Sequence, residues 1–325
     1  MPKDYRNYIG GLSGQIAYQT RKAVKGVFNL FDDYLDAALP ISATGGTKVT
    51  NGGNTYHVFT SPGTFSIDSG EGPVEFLVIG GGGSGGGSYG PPNYGAGGGG
   101  AGGFRTGTTG TLSPTDAPEP ITIGAGGPIA SPANQPGNPS TAFSVTSAGG
   151  GRGASFPGIS AGDGGSGGGA IPYEGPTANG DGNVPPSSPP QGNPGGHSSA
   201  PVGGGGGGAG EPGGPGAPNP DPKGRGYGGD GLTAFSSDTS LPGDYGTPGP
   251  GVGRYFAGGG AGGTYSSTMS NRTGGAGGGG QGGYQTGGTP GAQNTGGGGG
   301  GSGGPGPNNG HAGGSGVVII KIGNE

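Results

Sequence analysis

The sequence predicts a mostly irregular and β fold: a small antiparallel β module joined to a bundle of polyglycine II helices, with an α-helix ahead of both. Three observations point there. Glycine and proline supply 99 and 33 of the 325 residues, too many for regular α or β packing throughout. β-Branched apolar segments stand at both ends of the glycine-rich stretch. A helically spaced apolar stripe precedes them.

The stripe lies in residues 1–42, the first of two expected domains. Ala17, Val24, Phe28, Phe31, Leu35 and Ala38 fall on one helical face, and Val27 and Tyr34 widen it. Ser13 suits an N-cap and Pro40 a stop, which predicts a helix over roughly residues 14–38, about 37 Å long. Gly26 costs it about 1 kcal/mol relative to Ala. Asp32, Asp33 and Asp36 near its C-terminal end oppose the helix dipole, so packing must favour it. That packing is either on the chain's own body or in a larger assembly, where Val24, Phe28, Phe31 and Leu35 would anchor the chain to other proteins or to copies of itself.

Residues 43–325 form the second expected domain, with strands over 47–80 and 316–323 bracketing glycine-rich residues 80–315. Thr47 to Thr50 and Thr55 to Thr60 flank Asn51-Gly52-Gly53-Asn54, a hairpin signal because those residues tolerate positive φ. Turns at Ser61-Pro62-Gly63 and Glu71-Gly72-Pro73 lead into Thr64 to Ile67 and Val74 to Ile79, so the pattern reads as a four-strand meander. Ile121 to Ile123 and Ala142 to Thr146 are weaker strand candidates. Val317 to Ile322 has the length and branching of a buried strand.

The middle is built on runs such as Gly80 to Gly83, Gly97 to Gly100, Gly203 to Gly208 and Gly296 to Gly301, with no Gly-X-Y period, which excludes collagen. Disorder is one reading of this composition, because ordering costs about 1–2 kcal/mol per residue and glycine buries no side chain. The low charge and the apolar strands at both ends weigh against it. In the ordered alternative each run is an extended helix with three residues per turn and about 3.1 Å rise, which makes no internal hydrogen bonds. Bare glycine lets such helices approach until each N–H meets a neighbour's carbonyl. Gly203 to Gly210 would make a rod of about 25 Å. Pro, which matches this conformation and cannot donate, belongs at rod ends and in loops.

Hydrophobic residues make up only 26%, which excludes one large apolar core. With 13 basic against 18 acidic residues and a net charge of -5, nucleic acid is an unexpected partner. The longest apolar runs are far below the ~20 residues of a membrane-spanning helix, so no membrane insertion is expected, and no secretory signal is visible. Cysteine is absent, and His57, His197 and His311 lack metal-ligand spacing. The many Gly-x-Gly-x-x-Gly matches follow from composition. No cofactor, metal or enzymatic activity is expected. Gly224-Arg225-Gly226-Tyr227-Gly228-Gly229 is a single arginine-glycine segment in an acidic chain, and Asn271-Arg272-Thr273 fits a glycosylation acceptor.

Tyr56 to Phe65, followed by Val74 to Gly83, resembles the opening of the glycine-rich domain of bacteriophage tail and tail-fibre proteins. Gly313 to Lys321 resembles its close, and Ile121 to Gly127 and Thr146 to Gly151 resemble its internal repeats. The resemblance covers roughly residues 47–323. It implies a virion protein whose body is a stack of polyglycine II helices, similar to distal adhesins whose loops at one end meet a host receptor.

Tyr89, Tyr94, Tyr173, Tyr245, Tyr265 and Tyr284 lie between the runs. They either cover faces of the array or contact a host surface protein or glycan, since Tyr among Ser, Asn and Gly suits adaptable recognition. The sequence thus predicts a tail-fibre or tail-tip adhesin located in the virion, joined to other virion proteins through residues 1–42. A decoration or connector subunit of capsid, neck or tail without receptor binding is the alternative.

Overall fold

The computed structural model describes residues 40–89, 94–129, 134–172, 179–216, 225–235, 241, 245–266, 272–284, 288–304 and 307–323. The expected helix over 14–38, with Val24, Phe28, Phe31 and Leu35, lies outside them. The described residues contain no helix and build several small antiparallel sheets.

The largest sheet has five strands: β2 (Thr47–Asn51), β3 (Asn54–Phe59), β5 (Glu75–Ile79), β7 (Phe104–Thr108) and β14 (Val317–Gly323), in the order β2-β3-β14-β5-β7. Asn51 pairs with Asn54 across Gly52 and Gly53, both at positive φ (58° and 78°), which closes the expected two-residue hairpin. The expected meander is corrected. β4 (Gly63–Ser69) leaves this sheet and pairs with β1 (Ser42–Thr44) and β8 (Glu119–Ile121). Strand β14 takes the place beside β3, with Ile320 opposite His57 on one side and Phe76 on the other. The physical reason is burial: Val317 to Ile320 are all fully buried, and a strand apolar on both faces needs a central position.

The two faces of β14 serve two cores. Val318, Ile320 and Ile322 meet Phe59, Phe65 and Phe76 between the two sheets. Val317 and Ile319 join Leu77, Ala101, Ala209 and Phe256, where the sheet meets the glycine-rich body. The expected strand at Ala142 to Thr146 is instead a hairpin of β9 (Ser140–Ala142) and β10 (Val145–Ser147). It turns at Phe143 and Ser144, both at positive φ (49° and 59°). The remaining pairs are β11 (Leu232–Thr233) with β12 (Tyr255–Phe256) and β6 (Ser88–Tyr89) with β13 (Pro307–Asn308).

Beyond the strands the backbone pairs sideways. Gly97, Gly100 and Gly103 donate to the carbonyls of Ala154, Gly151 and Ala148. Gly98 and Ala101 donate to Gly204 and Gly207, and Gly99 and Gly102 to Gly299 and Gly296. Successive N–H groups therefore address three neighbours in rotation and return to the first every third residue. The carbonyls repeat the pattern: those of Gly97 and Gly100 accept from Gly86 and Gly83, those of Gly98 and Ala101 from Gly169 and Ser166, and that of Gly99 from Gly260. Segment 97–103 is thus ringed by six others.

Position in this array follows from side chains. The segments 80–86, 97–103, 203–208, 257–263 and 296–302 are buried at every residue and hold little besides glycine. Outer segments place a non-glycine residue at every third position, where it faces out, as at Thr122, Ala125 and Pro128 or Asn309, Ala312 and Ser315. Exposed Pro128, Pro136, Pro194, Pro212 and Pro290 lie along this periphery, where a missing N–H stops further lateral pairing.

Candidate recognition tip

The array has two unlike ends because its segments run up and down in alternation. At one end they continue into strands: Gly80 follows β5, Gly103 precedes β7, Ala148 follows β10, Ala257 follows β12 and Gly316 precedes β14. The hydrogen bond from Gly80 N–H to the Gly103 carbonyl extends the β5–β7 ladder into the glycine region. At the other end the chain reverses between residues 88 and 95, 128 and 134, 155 and 162, 197 and 202, 216 and 226, 264 and 272, 284 and 288, and 303 and 310. The partners of the flanking residues fix this grouping, as in Gly86 with Gly97, Gly203 with Gly263 and Gly283 with Gly301. This second end is the tip.

The predicted tyrosines divide between the ends. Tyr94 is half-buried at the tip against a small cluster of Ala154, Phe156 and Ile171. Tyr265 is 37% exposed there, and Tyr284 is half-buried, bridged to Thr264. Tyr89 pairs with Pro307 in the short β6–β13 ladder at the same end. Tyr173 lies outside the described residues. Tyr245 sits at the sheet end, partly buried on the core that holds Leu241 and Phe256, and its carbonyl accepts from Arg254 Nε at 2.9 Å. The structure therefore groups Tyr89, Tyr94, Tyr265 and Tyr284 and separates Tyr245 from them.

Polar groups are packed beneath the tip. Ser155 Oγ accepts from the Gly87 N–H at 2.9 Å and from Asn134 Nδ2 at 3.2 Å, and Asn134 Oδ1 and Ser88 Oγ are buried without a partner. Arg272 is 3% exposed, and its Nη2 donates to the Gly283 carbonyl at 2.9 Å. Burial lowers its pKa to about 10. Sequence reasoning met Arg272 only inside a glycosylation triplet. No periodicity marks it, because its burial depends on which segments end beside it.

His57 lies at the opposite end, in the core between the sheets. Its Nδ1 is 2.7 Å from the Gly45 carbonyl, so Nδ1 carries the proton and donates, while Nε2 is buried without a partner. Burial lowers its pKa, and Lys48 adds to that. Among the described residues no cluster of His, Asp and Glu is arranged to hold a metal ion.

No curated protein matches the chain. A family profile described as a glycine-rich domain matches residues 59–323, and with that match over most of its length the chain belongs to the glycine-rich domain family.

Proposed function

We infer that the glycine segments form a polyglycine II bundle and that the protein is a structural component of a phage virion, a tail-fibre or tail-tip adhesin that meets the host surface through its tip. The three-residue rotation of hydrogen bonds supports the first part, since a helix with three residues per turn sends its N–H groups in three directions. The gathering of reversals and tyrosines at one end, opposite the sheets, carries the second. A laterally bonded bundle holds its loop ends in fixed relative positions, which lowers the ordering cost of binding. The resemblance of Tyr56 to Phe65 and Gly313 to Lys321 to tail-fibre glycine-rich domains supplies the phage setting. Other virion proteins would be bound through residues 1–42.

The test is replacement of the tip connections between His197 and Val202 and between Thr264 and Arg272, leaving those four residues in place, with short Gly-Ser links, followed by measurement of melting temperature and of binding to host cells. The reading predicts lost cell binding with an intact melting transition. Full cell binding by the replaced protein would favour a connector or decoration subunit without a receptor.

A further inference from the structure

Strand β7 ends the five-stranded sheet with an open edge. The Thr109 N–H donates to the Val74 carbonyl and the Gly80 N–H to the Gly103 carbonyl, so the odd-numbered residues of β7 bond to β5 and the even-numbered ones face outward. Of the latter, Phe104 donates to the Gln191 carbonyl, whereas the exposed Thr106 and Thr108 have no backbone partner among the described residues. Proteins blunt such an edge with Lys or Pro, or cover it. The opposite edge, β2, carries Lys48, but β7 presents only threonines there.

Beside the edge runs a groove of about 390 Å³, walled by Phe104, Thr106 and Thr108, by Glu75, and by Leu232 and Phe235. Leu232 is 41% exposed. An apolar cavity of about 150 Å³ holds one benzene ring, so this groove has room for two large apolar side chains. Glu75, its charged wall residue, is paired with Lys321 at 3.1 Å, which leaves no free charge for an ionic ligand.

The place where the described chain begins indicates what covers the groove. Ile41 Cδ1 lies 3.2 Å from a Cβ built on Gly72, and Gly72 exchanges backbone hydrogen bonds with Leu112. Three residues beyond Gly72 stands Glu75, paired with Thr108 in the groove wall. At about 3.4 Å per residue the groove opens about 10 Å from Ile41. Leu35 precedes Ile41 by six residues and Phe31 by ten, which in a helix is about 9 Å and about 15 Å. Their spacing of four puts both on one helical face.

We propose that Phe31 and Leu35 of the same chain dock in this groove and cover the edge of β7. The inference goes beyond the adhesin reading and does not depend on it. It places any anchor carried by residues 1–42 at the sheet end, opposite the tip.

The chain has no cysteine, so introduced thiols report on the groove directly. The experiment is maleimide labelling of the full chain carrying Thr106→Cys or, as a control on the other edge, Thr50→Cys. Both positions are exposed among the described residues, so they label alike unless something outside those residues covers one. The expected result is labelling at Thr106→Cys at least tenfold slower than at Thr50→Cys, with the difference abolished by Phe31→Ser together with Leu35→Ser. A second measurement guards against misfolding of that variant: Leu35→Cys with Thr106→Cys should be joined within one chain by a short bifunctional maleimide. Equal labelling at the two edges, or protection that survives the double serine variant, overturns the proposal. Protection lost when residues 236–240 are replaced by glycine, and kept in the serine variant, gives the groove to that segment instead. Cross-linking only between chains assigns it to a second copy, and protection only in an assembled particle assigns it to another protein; either overturns docking within the chain.

Discussion

Gly205 lies so close to the carbonyl of Tyr227 that a Cβ built on it overlaps the oxygen. Three positions before the end of the same segment the backbone still admits nothing but hydrogen, whereas Ala209, at the sheet end, carries its methyl into the apolar core. The difference marks where the bundle stops being backbone on backbone. Gly205→Ala should therefore destabilise by at least about 3 kcal/mol, and Gly205→Val by more, because the obstacle is main chain that cannot rotate away. Denaturant titration checks this, and unchanged stability of Gly205→Val would place the residue outside a packed array.

The hairpin between β9 and β10 turns on Phe143 and Ser144 at positive φ, a conformation that glycine adopts at lower cost. Phe143 is needed, since its ring packs against Phe65 and Phe76 at centroid distances of 6.1 and 5.3 Å. Ser144 is exposed. Ser144→Gly should stabilise by about 0.5 kcal/mol through relief of strain, and Phe143→Gly should destabilise through lost packing. Thermal melts of the two variants should move in opposite directions.

His57 makes stability pH-dependent. Its folded pKa is depressed below the ordinary 6.5, chiefly by burial, so the unfolded chain takes up the proton first. Stability is then level above about pH 6.5 and falls as pH drops below it, by at most about 1.4 kcal/mol per pH unit for one proton. His311, also depressed by burial, acts in the same direction. His57→Gln, which can still donate to the Gly45 carbonyl, should flatten the decline of melting temperature between pH 7 and pH 5. An identical decline in the variant would assign the effect elsewhere.

Strand β14 closes the chain by joining its last described residues to β3 and β5. Ile319→Ala and Ile320→Ala each leave a cavity on one of its faces and should cost about 2–5 kcal/mol, with unfolding that remains a single transition if sheet and array form one cooperative unit. Separate transitions in calorimetry would show that the β module folds without the array.

Much of this architecture was legible because glycine runs carry their own geometry. The runs at residues 80–83, 97–100, 203–208 and 296–301 became interior segments, since bare backbone can be approached from every side, whereas the run at 277–280 enters a turn with Gly277 and Gly278 at positive φ. Asn51 to Asn54 and Val317 to Ile322 were legible from turn chemistry and branching. The insertion of β14 between β3 and β5 was not, because pairing between residues so distant in sequence leaves no local signal. The site was less readable still. Tyr245 and Tyr265 both sit among glycine and small polar residues and occupy opposite ends, a distinction set by whether each preceding segment runs up or down. Arg272 shows no signal of burial at all.

The central claim is that bare backbone, paired sideways in three directions, forms the rigid body that positions the tip. Residue-resolved hydrogen exchange tests it most directly. Amides of Gly97 to Gly103 and Gly203 to Gly208 should exchange as slowly as those of Ile319 and Ile320, because each is buried and bonded to a neighbouring segment. Exchange of these glycines at the rate of an unstructured chain, with β14 still protected, would contradict the account.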